Sequence, residues 1–126
     1  MSGKSDKAIS GGNENQNSVV LFGGWVLYEV LMRVAKQRGE DEMALCSTLA
    51  VTKGFFSMVG SGARHANTLS DDFLRACSTY LKIPYLLVLI IAGRIAEQDL
   101  LELGIYADTD FGGVLKASRA LAMGKN

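Results

Sequence analysis

The sequence predicts an all-α fold, a compact bundle of about five helices with a helix-turn-helix core and a C-terminal helical extension. Three observations predict it. Apolar residues recur at helical spacing, and no stretch alternates as a half-buried strand would. Capping residues and breakers punctuate the chain at short intervals, among them Gly39, Asp41, Thr52, Ser70 and Pro84. A chain of 126 residues with 48% hydrophobic content suits one modest core, which argues for a single domain.

Residues 1–18 are rich in Ser, Gly, Asn, Lys and Glu and hold almost no large apolar side chains. Such a segment cannot offset the entropy of ordering, so it reads as a disordered tail. A single helical domain follows over 19–123, with the helix-turn-helix core at 24–83 and the extension at 84–123. Val19 to Phe22 forms a short apolar run ahead of Gly23 and Gly24. From Trp25 to Arg38, the positions Leu27, Val30, Leu31 and Val34 give a first helix. Glu29 and Arg33 stand four apart and can pair, Lys36 and Arg38 suit the carbonyl end, and Gly39 is the stop. Trp25 and Tyr28 fall off the main stripe, which leaves apolar surface for an interface or for further core from the C-terminal region.

Asp41 reads as the N-cap of a second helix from Glu42, whose buried side is Met43, Leu45, Cys46 and Leu49. After the turn Ala50-Val51, Thr52 caps a short third helix over Lys53 to Val59, with Phe55, Phe56 and Val59 facing the core. Gly60-Ser61-Gly62 ends it, and a loop runs from Ala63 to Leu69. Ser70 caps a fourth helix, Asp71 and Asp72 fall in its positive first turn, and Phe73, Leu74, Cys77, Tyr80 and Leu81 share one face. Ile83-Pro84 breaks that helix, with Pro84 in the first turn of the next. The segment Tyr85 to Ala92 is apolar all round, so a partner subunit or the C-terminal segments must cover it. Glu97 to Leu103 reads as another short helix stopped by Gly104. A last helix starts at Asp108 or Thr109 and runs through Met123, with Phe111, Val114, Leu115, Ser118 and Leu121 on one side.

Composition narrows function. Lys plus Arg and Asp plus Glu each number 13, so the net charge is zero, without the basic excess usual in nucleic-acid binders. One histidine and two cysteines 31 residues apart give no metal-ligand spacing, so neither a metal nor a cofactor is expected. Cys46 and Cys77 read as buried free thiols in a reducing cytoplasm. The most apolar run is about half of what a bilayer requires. There is no Ser-His-Asp set and no phosphate-binding loop, so the chain is not read as an enzyme. Asp108 and Asp110 read as a capping loop rather than a carboxylate dyad.

The segment Met43 to Ile83 resembles the lambda-repressor-like, Xre-type helix-turn-helix family. The likeness rests on Leu45, Leu49-Ala50-Val51-Thr52, Phe55-Phe56-Ser57, Val59, Ser61-Gly62-Ala63-Arg64, Leu69, Phe73, Leu74 and Tyr80-Leu81-Lys82-Ile83-Pro84. Cys46 takes a small Ala position of the family pattern, Ala50 the turn Gly, Ser61 an Asn and Cys77 a later Ala. The resemblance implies that the two middle helices grip the DNA major groove. Carried over position by position, it implies DNA contacts from Thr52, Lys53, Ser57 and Arg64, while His65 reads as an exposed loop residue. The sequence departs from the pattern at Glu42, where a Gln is common, and at Gly54 and Met58, where polar readers are expected. Glu40 and Asp41 precede Glu42, and carboxylates beside a phosphate strand repel it. Between Gly24 and His65 stand five basic residues and four acidic ones. The expected partner is therefore double-stranded DNA, bound weakly and salt-sensitively by a homodimeric transcriptional regulator. The dimer is expected to form through the apolar helix 84–92 and the C-terminal extension. The alternative is a helix-turn-helix-derived adaptor or anti-regulator that binds protein and not DNA.

Overall fold

The computed structural model describes residues 22–64 and 68–124. The tail over 1–18, most of the apolar run before Gly23, and His65 lie outside the described residues. The described residues fold into seven α-helices without a strand, rather than about five. They are α1 (Gly24–Gln37), α2 (Glu42–Leu49), α3 (Lys53–Ser61), α4 (Asp71–Leu81), α5 (Tyr85–Ile91), α6 (Glu97–Tyr106) and α7 (Gly112–Met123). The extension contributes three of the seven, in the three segments its apolar spacing predicts.

The long stripe of α1 is the centre of the bundle. Val26, Leu27, Val30, Leu31 and Ala35 are buried along it, and α2, α3, α4, α5 and α7 all pack against this helix. Tyr28 stacks on the fully buried Phe56 of α3, with ring centroids 4.7 Å apart. The off-stripe aromatic therefore belongs to the core, while its neighbour Trp25 is exposed. Arg33 reaches across the bundle rather than along its own helix. Its guanidinium donates to the Leu121 carbonyl at 3.0 Å and the Ala122 carbonyl at 3.3 Å, adding donors at the carbonyl end of α7.

The expected caps form where the residue types placed them. Asp41 accepts from the Ala44 N–H, Thr52 from the Phe55 N–H and Ser70 from the Phe73 N–H. One expected core residue is misplaced: Met43 is 75% exposed. Leu45, Cys46 and Leu49 define the inner face of α2, and Met43 lies two residues, about 200° of helical rotation, from Leu45. Pro84 is the N-cap of α5 rather than part of its first turn.

The C-terminal segments cover α5. Val88, Ile90, Ile91 and Ala92 are buried, α5 packs on α1, α4 and α7, and Tyr85, Leu86, Leu87 and Leu89 are half-buried. Ile90 joins Leu100 of α6 and Leu115 of α7 in a second, smaller apolar cluster. The Gly23 N–H donates to the Ile91 carbonyl at 2.9 Å, tying the start of α1 to the end of α5.

Two boundaries in the extension differ from expectation. Gly104 does not stop α6 but lies inside it, buried where the following loop folds back. A Cβ there would meet the Thr109 carbonyl oxygen at 2.6 Å, so the glycine serves close approach rather than termination. The last helix starts at Gly112, later than Asp108 or Thr109, because Asp110 accepts from the Gly112 N–H at 2.8 Å and holds a turn before it.

Both cysteines are free and buried. Burial pushes the Cys77 thiol from its ordinary value of 9.0 up to about 12. Below pH 9.0 the thiol is protonated in the folded and unfolded chain alike, and its contribution is complete. Above that, the unfolded thiol ionises while the folded one keeps its proton, so stability falls as pH rises toward about 12. Denaturant titrations at stepped alkaline pH should show this decline, and Cys77→Ala should flatten it. Tyr80 would leave a residual slope of the same sign, because burial, then its bond to Glu40, raises its hydroxyl too.

Glycines in one helix supply a second test. A Cβ at Gly54 meets nothing within 4 Å, whereas at Gly60 it would meet the Tyr28 ring at 2.7 Å. Gly54→Ala should stabilise the chain by about 0.5 kcal/mol. Gly60→Ala should destabilise it by about 1–3 kcal/mol, because the ring is already stacked on Phe56. Equilibrium urea unfolding of the two variants reads the opposite signs.

Candidate nucleic-acid interface

Two short helices and the three residues between them build the candidate site. The chain turns by 102° between α2 and α3. Ala50 takes the left-handed conformation (φ 60°) at the end of α2, and the Val51 N–H returns to the Cys46 carbonyl at 3.0 Å. Thr52 is extended and caps α3 through its hydroxyl, 3.0 Å from the Phe55 nitrogen. The apolar residues then fix which side of α3 turns inward. Phe56 and Val59 are buried against α1, so Lys53, Gly54, Ser57, Met58 and Ser61 fall on the outer side. Gly62, left-handed, ends the helix, and the Ala63 N–H returns to the Met58 carbonyl at 3.1 Å.

The structure brings three of the four expected contact residues together. Thr52, Lys53 and Ser57 are exposed at the N-terminal end and outer side of α3. Arg64 is held elsewhere. Its guanidinium lies 4.9 Å from the centroid of the Phe55 ring, on the other side of α3, and the Nε is buried without a hydrogen-bond partner.

The carboxylates expected to repel phosphate have different fates. Asp41 is the α2 cap. Glu40 accepts from the Tyr80 hydroxyl, and Arg38 stacks on the same ring 4.5 Å from its centroid. Glu42 is half-buried in the first turn of α2. The Cys46 thiol is raised by burial first and by Glu42 next, while Lys53 opposes them. Glu42 and Lys53 thus act in opposite directions on one thiol.

The other arginines are committed inside the chain as well. Arg33 holds the end of α7, and Arg38 lies on Tyr80. Arg75 lies 4.0 Å from the Tyr85 ring centroid. Arg94 donates to the Leu69 carbonyl at 2.9 Å and pairs with Asp71 at 3.5 Å, and Arg119 pairs with Glu97. With Arg64, these are all six arginines of the chain. A count of charges does not carry this information, and nothing in the one-dimensional pattern marks an arginine as a packing group. Nor does that pattern show a shallow concavity of about 480 Å³ lined by Arg38, Glu40, Thr48, Thr79, Tyr80 and Lys82, which three separate segments assemble.

Among the described residues no group of three His, Cys, Asp or Glu side chains could hold a metal ion, and no single helix is long and apolar enough to cross a membrane. Comparison with protein-family models, curated proteins and solved structures finds no match to this chain.

The cap that Thr52 provides for α3 can be tested by substitution. Thr52→Ala should cost about 1 kcal/mol of stability through the lost cap, and Thr52→Ser should restore most of it. Chemical denaturation of the pair checks this without reference to any ligand.

Proposed function

We propose that this chain is a small DNA-binding transcriptional regulator of the Xre-like helix-turn-helix type, acting as a dimer on a two-part site. The observation that carries the reading is the geometry of α2 and α3. A three-residue turn redirects the chain by 102°, both helices are side-chain capped, and the outer side of the second is open. Paired helices at such an angle suit insertion of the second into a major groove. Gly54 leaves one position on that side without a side chain, so a duplex could approach the helix backbone closely there. Lys53 supplies charge, and Thr52 and Ser57 supply hydroxyl donors for phosphate. Arg64 would have to leave Phe55 to add a fourth contact. A second copy doubles the few available cations, and the half-buried side of α5 with the end of α7 is the surface proposed for it. The free, buried thiols fit a reducing cytoplasm.

A second reading is favoured by one observation, the carboxylate of Glu42 in the first turn of α2, which opposes Lys53 at the Cys46 thiol. A carboxylate at the groove-facing end suits an adaptor that keeps the helix-turn-helix scaffold and binds protein instead. Fluorescence anisotropy with random-sequence duplex DNA, at low and moderate salt, separates the two. The regulator reading expects binding that weakens steeply with salt. It expects Lys53→Ala to weaken binding by about tenfold and reduce the salt slope by about one. Glu42→Gln should strengthen binding by a few-fold, through removal of a charge beside phosphate. An absence of binding at low salt would favour the adaptor.

A further inference from the structure

Four of the eight large apolar side chains that are exposed among the described residues lie on α6. Leu101 and Leu103 are exposed, Ile105 is 83% exposed and Tyr106 is 90% exposed. The helix itself is held by little, chiefly Leu100 in the small cluster with Ile90 and Leu115, and the pairing of Glu97 with Arg119. Beside it runs an open groove of about 740 Å³, lined by Leu101, Gly104, Ile105 and Phe111 with Asp108 and Asp110. Its shape is set before any ligand arrives. The Thr109 N–H donates to the Gly104 carbonyl at 2.8 Å, Asp110 holds the Gly112 N–H, and the missing Cβ of Gly104 lets the loop lie against the helix.

Charge identifies what fits there. Between Arg94 and Lys116 the chain carries Glu97, Asp99, Glu102, Asp108 and Asp110 and no basic residue. Arg119 occupies Glu97, and the other four carboxylates are exposed around the apolar side chains. A second copy docked through this face would set carboxylates against carboxylates. Duplex DNA and an anionic membrane are repelled for the same reason. We propose that the outer face of α6 and its groove dock an amphipathic helix of a partner protein, with apolar anchors seated over Leu101, Ile105 and Phe111 and flanking lysines or arginines paired with Asp99, Glu102 and Asp108. This surface lies on a different element from α2 and α3, so the inference stands or falls apart from the DNA reading.

The test uses the full chain and three labelled peptides of about four helical turns. One is an amphipathic Leu/Lys helix with leucines at i, i+3, i+4 and i+7, one its Leu/Glu counterpart, and one a scrambled Leu/Lys sequence. Anisotropy should show the Leu/Lys helix binding about tenfold or more tighter than either control. Ile105→Ser should weaken it by about tenfold while leaving the urea midpoint unchanged, because the side chain is already in solvent. The double variant Asp99→Asn, Glu102→Gln should weaken binding a few-fold and flatten its salt dependence. Amide shifts on binding should fall on α6 and residues 108–111. Equal binding of the three peptides, indifference to Ile105→Ser, or shifts centred on another element would overturn the proposal. So would a concentration-dependent dimer of the full chain in sedimentation that Ile105→Ser abolishes, because a second copy would then own the face.

Discussion

The burial of one stripe on α1 is the interaction on which the rest of the structure depends. Leu27 and Leu31 are wholly excluded from water and Val26, Val30 and Ala35 nearly so, and only α6 lacks a substantial contact with this helix. Each buried Leu or Val contributes about 1.5–3 kcal/mol. The stripe therefore offers the largest continuous apolar surface against which short helices can fold. A helix of eight or nine residues is marginal alone, so α2 and α3 owe their form to caps at one end and this surface along one side. The same packing decides what α3 shows to solvent. Once Phe56 and Val59 are committed to α1, with Phe56 stacked on Tyr28, the helix has no rotational freedom left. Lys53 and Ser57 then point outward.

Electrostatics inside the chain follow a division of labour between its two kinds of cation. The arginines act as packing and capping groups, stacked on Tyr80, Phe55 and Tyr85 or bonded to carbonyls and carboxylates. A planar guanidinium suits these uses better than an ammonium does. Among the described residues the lysines are all exposed, Lys53 at the start of α3 among them. A net charge of zero thus understates how few cations are available, while most carboxylates of α6 and the loop after it are exposed and have no cationic partner among the described residues, Glu97 excepted. The outer side of α3 and the acidic face of α6 are consequently opposite in character, one open and nearly neutral, the other apolar and negatively rimmed.

Much of the fold was legible because its signals are local. An N-cap needs one side chain and an N–H three residues on, which is why Asp41, Thr52 and Ser70 could be assigned from residue type. The faces of α4 and α7 follow from periodicity alone. Errors arose where a residue answers to something distant. Gly104 looks like a stop until Thr109 is seen folding back onto it. Arg33 looks like a partner for Glu29 until the end of α7 arrives beside it. Met43 was placed inward because α2 is too short for periodicity to fix its orientation. For the candidate site, the exposure of Thr52, Lys53 and Ser57 was readable, and the withdrawal of Arg64 onto Phe55 was not.

The sequence by itself determined the all-helical class, the ends of most helices and the three short-range caps, since each depends on residues within about one helical turn. It also determined that positive charge is scarce around α2 and α3 and that carboxylates stand at the start of α2. Tertiary structure decided that α1, rather than the wholly apolar α5, is the centre, because α5 is too short to contact every neighbour and α7 folds over it. It decided which cations are spent on packing and which remain for ligands. It also left α6 holding apolar side chains that no other helix covers. These outcomes turn on which surfaces meet after the helices have formed, and contacts between residues dozens of positions apart leave no pattern along the chain.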